Sequence, residues 1–150
     1  MEAAKRILFV CTGNTCRSAM AEAILLNEVK SLPNYEVRSA GTQAWAGDEM
    51  TPDAITQLEK MGVDGRAHRS TKISPWLIDW ATDIYVMTRS HREYIRALFP
   101  GAVEKLYLLS FDQETDIPDP YGQGSMAYEK AFLTIKTEIF RIMERASTDA

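Results

Sequence analysis

The chain has 150 residues, 45% apolar and 25% charged, with a formal net charge of −4. That length suits one domain, taken as residues 1–150, and the composition excludes disorder, collagen-like repeats and a disulfide scaffold. The acidic balance excludes a generally basic nucleic-acid binder but leaves room for one local basic pocket.

No apolar run approaches the roughly 18 residues of a membrane span, and no cleavable leader is visible. The expected location is therefore the cytoplasm, with neither membrane nor nucleic acid as partner. In chain order, Lys5 to Val10 reads as a fully buried strand running into Cys11. Met20, Ala21, Ile24, Leu25 and Val29 then recur at helical spacing from an opening near Ser18. Tyr35 to Ser39 reads as a second strand. Thr51-Pro52-Asp53 starts a helix with Ile55, Leu58 and Met61 on one face and Gly62 as its stop. Trp76 and Trp80 lie in a helical stretch and are assigned to the core. Asp83 to Thr88 is a third strand, followed by a helix through Arg96 whose Arg89, His91, Arg92 and Arg96 read as a solvated face. Val103 to Leu109 is a fourth strand. The last helix starts near Ser125, and its stripe of Tyr128, Ala131, Phe132, Ile135, Ile139, Ile142 and Met143 is assigned to packing on the sheet. The tail from Ala146 to Ala150 is expected to fray. Strands alternating with helical periods predict an α/β fold with a parallel sheet.

The chemistry concentrates between the first strand and first helix, in Cys11-Thr12-Gly13-Asn14-Thr15-Cys16-Arg17-Ser18. A strand–loop–helix turn at the carboxyl edge of a parallel sheet is a ligand site, and amides left unpaired at a helix start favour an anion. Gly13 is expected to supply the positive φ of a tight cradle, with Asn14 tolerating one too. Arg17 offers a planar fork for two oxygens of a phosphate or sulfate. Cys11 faces the same positive potential, which favours its thiolate and places it for in-line attack on a bound phosphoryl group. Ser18 can donate a hydrogen bond to that sulfur. No Gly-Lys-Ser/Thr follows, so the loop is not a nucleotide-binding P-loop. Breaking the bond to the leaving group needs a proton, and the best acid is Asp119 in Ile117-Pro118-Asp119-Pro120-Tyr121-Gly122, where two prolines limit the cost of presenting it. Asp112 and Asp116 read as turn caps.

Together, Val10-Cys11-Thr12-Gly13-Asn14-Thr15-Cys16-Arg17-Ser18, Ser39-Ala40-Gly41-Thr42 and Asp119-Pro120-Tyr121-Gly122 resemble the low-molecular-weight protein tyrosine phosphatase family. The resemblance implies a three-layer sandwich with a four-stranded parallel sheet, helices on both faces, and a two-step hydrolysis without cofactor or metal. It makes Cys11 the nucleophile, Arg17 the phosphate clamp, and Asp119 first the acid and then the base for water. Thr12, Gly13, Asn14, Thr15, Cys16 and Ser18 would line the substrate, with Ser39 and His68 matching the partners of Asn14 in relatives. Cys16 matches a second loop cysteine that in relatives bonds reversibly to the nucleophile, and a low-pKa setting would ease that exchange. The arsenate-reducing branch uses further downstream cysteines, and none follows Cys16.

Substrates are expected to be phosphorylated proteins. Phosphotyrosine-preferring relatives commonly carry Ile or Leu where this loop has Thr15, whereas Cys-Thr-Gly-Asn-Thr-Cys-Arg-Ser and Met87-Thr88 resemble the bacterial protein-arginine phosphatases of the same family. A threonine hydroxyl can face a guanidinium whose N–H groups an isoleucine would leave unpaired. Tyr121 and Ala19 depart from that branch, which has Phe and Pro there. Trp45 and Tyr121 are expected to form an aromatic rim, suited equally to a phenyl ring and a guanidinium. The reading leans to phosphoarginine, with phosphotyrosine as the alternative and a catalytically silent phosphate-binding module as a remote one.

Overall fold

Strand β1 (Lys5–Cys11) explains the layering. Its residues point alternately to opposite faces of the sheet. Ile7, Phe9 and Cys11 join one apolar cluster, and Leu8 and Val10 join another. The computed structural model describes residues 4–110 and 112–148. On the first face lie α1 (Arg17–Val29), α2 (Pro52–Glu59) and α5 (Ser125–Thr148); on the second lie α3 (Pro75–Trp80) and α4 (Arg89–Leu98). The remaining strands are β2 (Tyr35–Gly41), β3 (Asp83–Val86) and β4 (Leu106–Leu108).

All pairings are parallel, in the order β2-β1-β3-β4. The chain steps outward from β1 to β2, then returns to the far side of β1 for β3. This reversal opens a crevice beyond the carboxyl ends of β1 and β3, where open α/β sheets bind ligands. The loop after β1 and the first turn of α4 both start there. Residues Tyr128, Ala131, Phe132, Ile135 and Ile139 of α5 are buried in the first cluster, with Ile142 and Met143 packed against it, so the stripe is a packing face.

Three expectations need correction. Strand β4 is shorter than Val103 to Leu109, because a 3-10 turn occupies Pro100–Lys105. Pro100 opens that turn, and Lys105 Nζ pins its end by donating to the carbonyls of Ile78 and Ala81 at 2.6 and 2.7 Å. Helix α5 runs to Thr148, past the Ala146 at which the tail was expected to begin; residues 149–150 lie outside those described. Trp76 is 58% exposed rather than core. It stacks on Trp80, and the Arg38 guanidinium sits 5.0 and 5.1 Å from the two ring centres, a surface cation–π arrangement that keeps the indole useful outside the core. Among the described residues no helix is long and apolar enough to cross a membrane.

Candidate active site

The loop from Cys11 to Ser18 curls above the crevice and delivers the chain into α1. Asn14, not Gly13, carries the left-handed backbone, at φ 57°. Its side chain compensates: fully buried, Asn14 donates through Nδ2 to Ser18 Oγ and Ser39 Oγ, both at 2.8 Å, and its Oδ1 accepts the Thr71 N–H at 2.8 Å. Its carbonyl accepts from His68 Nε2 at 2.7 Å. Behind these, Glu22 accepts from Ser39 Oγ at 2.5 Å and lies 3.6 Å from His68 Nδ1. Every arm of the amide is thus held from a different element, which fixes the shape of the cradle before any anion arrives.

Strand β2 closes the other side. Gly41 pairs in register with Cys11, and a Cβ there would stand 2.4 Å from the Thr12 carbonyl oxygen, so only glycine lets strand and loop approach this closely. The Thr42 and Gln43 amides donate to the Cys11 and Thr12 carbonyls at 2.9 Å, which ties the following loop, with Trp45, to the cradle. Trp45 is 80% exposed and Tyr121 is 65% exposed.

Cys11 Sγ lies 2.9 Å from Ser18 Oγ and 3.5 Å from the Ser18 N–H. A sulfur anion there meets two donors at the mouth of α1. Arg17 is 3% exposed; its Nη1 donates to the Ile117 carbonyl at 2.8 Å, and its Nη2 lies 3.7 Å from Asp119 Oδ2. Asp119 is half-exposed, and its Oδ1 accepts the Tyr121 N–H at 3.1 Å. The Cys16 thiol faces the same carboxyl at 3.6 Å. The expected low-pKa setting does not hold for Cys16: burial, then the neighbouring Cys11 and Asp119, push its pKa up to about 12. A buried sulfur beside negative charge keeps its proton. Both cysteines are free.

Asp116 accepts the Arg89 N–H at 2.8 Å at the start of α4 and so acts as a cap, while Asp112 pairs with Arg145 at 3.5 Å. The solvated-face assignment holds for Arg89 and Arg96, which pair with Asp116 and Glu93, but not for Arg92, whose side chain is largely buried against its partner Glu114. It also fails for His91, which is only 6% exposed and bonds Thr12 across the crevice. Thr71 and Glu22 were likewise not anticipated as supports of Asn14. A pocket of about 450 Å³ beside the cradle is lined in part by Thr12, Arg17, His91 and Asp119.

Comparison with known proteins now places the chain. Residues 6–149 match the family described as low molecular weight phosphotyrosine protein phosphatase. A protein-arginine-phosphatase of Geobacillus stearothermophilus is 42% identical over 147 residues, covering 96% of this chain and 97% of that one. The solved structure of the YwlE arginine phosphatase from Geobacillus stearothermophilus superposes with a TM-score of 0.91 at 42% identity, covering 97% of this chain and 94% of that one. A probable low molecular weight protein-tyrosine-phosphatase, EpsP, of Ralstonia solanacearum is 36% identical, covering 88% of this chain and 89% of that one. The fold and the loop define a cysteine-dependent phosphatase. The chain belongs to the low molecular weight phosphotyrosine protein phosphatase family.

Proposed function

We propose that this phosphatase removes phosphoryl groups from phosphoarginine side chains of proteins, acting in the cytoplasm as one domain spanning residues 1–150, without metal, cofactor, nucleic-acid or membrane partners. The observation that carries the substrate choice is Thr15, a partly buried polar residue in the cradle where an apolar wall would suit a phenyl ring. The likeness to a protein-arginine-phosphatase supports it. The phosphotyrosine reading is kept alive by the likeness to EpsP.

In the proposed mechanism the loop amides and the Arg17 fork hold the phosphoryl oxygens. Cys11 Sγ attacks phosphorus in line; the S–P bond forms while the P–N bond to the guanidino nitrogen breaks, and Asp119 gives that nitrogen its proton. Ser18 holds the sulfur before attack and eases its departure afterwards. In the second step the Asp119 carboxylate takes a proton from water, whose oxygen attacks phosphorus and releases phosphate and the Cys11 thiolate. Thr12, Gly13, Asn14, Thr15 and Cys16 shape the cradle, with Ser39 and His68 supporting Asn14. Trp45 and Tyr121 flank the entering side chain.

The test is kcat/KM on matched phosphoarginine and phosphotyrosine peptides for the wild type and Thr15→Ile. The wild type should prefer phosphoarginine, and Thr15→Ile should move the ratio toward phosphotyrosine. A wild type that prefers phosphotyrosine overturns the substrate reading. Turnover of a generic aryl phosphate, lost in Cys11→Ser, separates an enzyme from a silent phosphate-binding module.

A further inference from the structure

Helix α4 begins where β3 ends, next to β1 at the reversal of strand order, so its first turn overlooks the cradle. His91 fills that turn. Both of its ring nitrogens meet a hydroxyl: Nδ1 lies 3.0 Å from Thr88 Oγ1 and Nε2 lies 2.8 Å from Thr12 Oγ1. Thr88 Oγ1 also caps the helix by accepting the His91 N–H at 3.1 Å. Thr12 is the exposed end of this chain and lines the pocket shared with Asp119. The arrangement is a bridge from the start of α4 to the residue directly after Cys11.

Burial, then the Arg17 charge, lower the His91 pKa to about 4, so the ring is neutral near pH 7. A neutral imidazole has one N–H and one lone pair, so it must treat its two hydroxyl partners oppositely. The surroundings select which. On the Thr88 side, the Asp116 carboxylate lies against the Arg89 N–H and attracts a ring N–H. On the Thr12 side, Arg17 lines the same pocket, and its positive charge favours a Thr12 hydroxyl whose oxygen faces it and whose hydrogen points to Nε2. Nδ1–H then donates to Thr88, and Nε2 accepts from Thr12.

We infer that His91 is a positioning residue for leaving-group choice: it takes the Thr12 hydroxyl hydrogen, so that Thr12 offers only lone pairs to the N–H groups of a phosphoguanidine seated beside Asp119. The inference rests on the phosphoarginine reading. A phenolic leaving group carries no hydrogen next to its bridging oxygen, and gains nothing from those lone pairs. A guanidino group without them keeps a donor unpaired on leaving water, which is where discrimination arises.

The experiment measures kcat/KM on matched phosphoarginine and phosphotyrosine peptides for the wild type, Thr12→Val, Thr12→Ser, His91→Asn, His91→Gln and the double variant Thr12→Val/His91→Asn. Thr12→Val should lower the phosphoarginine-to-phosphotyrosine ratio about tenfold, the worth of one hydrogen bond. Thr12→Ser should restore it. His91→Asn should lower the ratio several-fold, and His91→Gln, whose longer amide reaches toward Thr12, should recover part of the loss. If His91 acts through Thr12, the double variant falls no further than Thr12→Val alone. An unchanged ratio in Thr12→Val, or additive losses in the double variant, overturns the inference while leaving the phosphoarginine reading intact. A wild type without phosphoarginine turnover overturns both. Should the His91 variants fail to fold, the Thr12 pair decides, since Thr12 is exposed.

Discussion

The cradle and the acid segment sit side by side yet are built on opposite plans. Asn14 is fully buried, with hydrogen bonds to Ser18, Ser39, Thr71 and His68 all between 2.7 and 2.8 Å. Asp119 is half-exposed, and its contacts to Arg17 and Cys16 stretch to 3.7 and 3.6 Å. Short bonds within a buried network give a preorganised anion site that need not rearrange on binding. Long contacts on an exposed carboxyl leave it cheap to displace when a phosphoryl group claims Arg17. The half that binds is fixed, and the half that transfers protons is loosely held.

The sharpest way to break this contrast is Asp119→Asn. It should cut kcat about 10²- to 10³-fold on peptide substrates, while the thermal midpoint hardly moves. A large drop in stability would show that Asp119 belongs to the fixed half after all. Asn14→Ala should do the reverse first, costing about 3 kcal/mol of stability by stranding buried partners and forcing alanine into a left-handed backbone, as read by urea unfolding. Its loss of kcat/KM should follow from the distorted cradle, with phosphate inhibition weakening in parallel.

Acid tests the fixed half from another side. His91 faces Arg17, Asp116 and Asp119, and its pKa falls from 6.5 unfolded to about 4 folded. Between those values the unfolded chain binds the extra proton, so stability is full above pH 6.5 and declines as pH drops toward 4. At 1.36 kcal/mol per unit, His91 contributes about 3 kcal/mol of that decline. Urea midpoints at pH 7 and pH 4.5 should therefore differ more for the wild type than for His91→Gln; equal differences would mean the ring titrates as if exposed. The smallest effect is expected at the rim: Trp45→Ala should raise KM for peptides less than about tenfold with stability unchanged.

The parts legible in the sequence are those whose chemistry lies within a few consecutive residues. Cys11 through Ser18 carries its own strand end, turn and helix start, so its placement could be read directly, as could Asp119 between its prolines. The apolar run of β1 and the stripe of α5 were legible because burial writes itself into periodicity. His91, Thr71 and Glu22 were not, because each reaches the cradle across the fold. Arg89, Arg92 and Arg96 made α4 look polar, and only the placement of β3 beside β1 turns its first ring inward. The shift of the left-handed residue from Gly13 to Asn14 was hidden for a related reason. Backbone freedom favours glycine, but side-chain bonds to Ser39 and Thr71, residues distant in the chain, favour asparagine.

Gly41 ties edge strand and anion loop into a single clearance: a lone methyl there would meet the Thr12 carbonyl at 2.4 Å. Alanine at this site leaves sheet pairing available but levers the loop outward at its second residue, so the chain would stay folded while its grip on inorganic oxyanions slackens. Geometry at one strand end thus sets a tolerance for the chemistry at its neighbour.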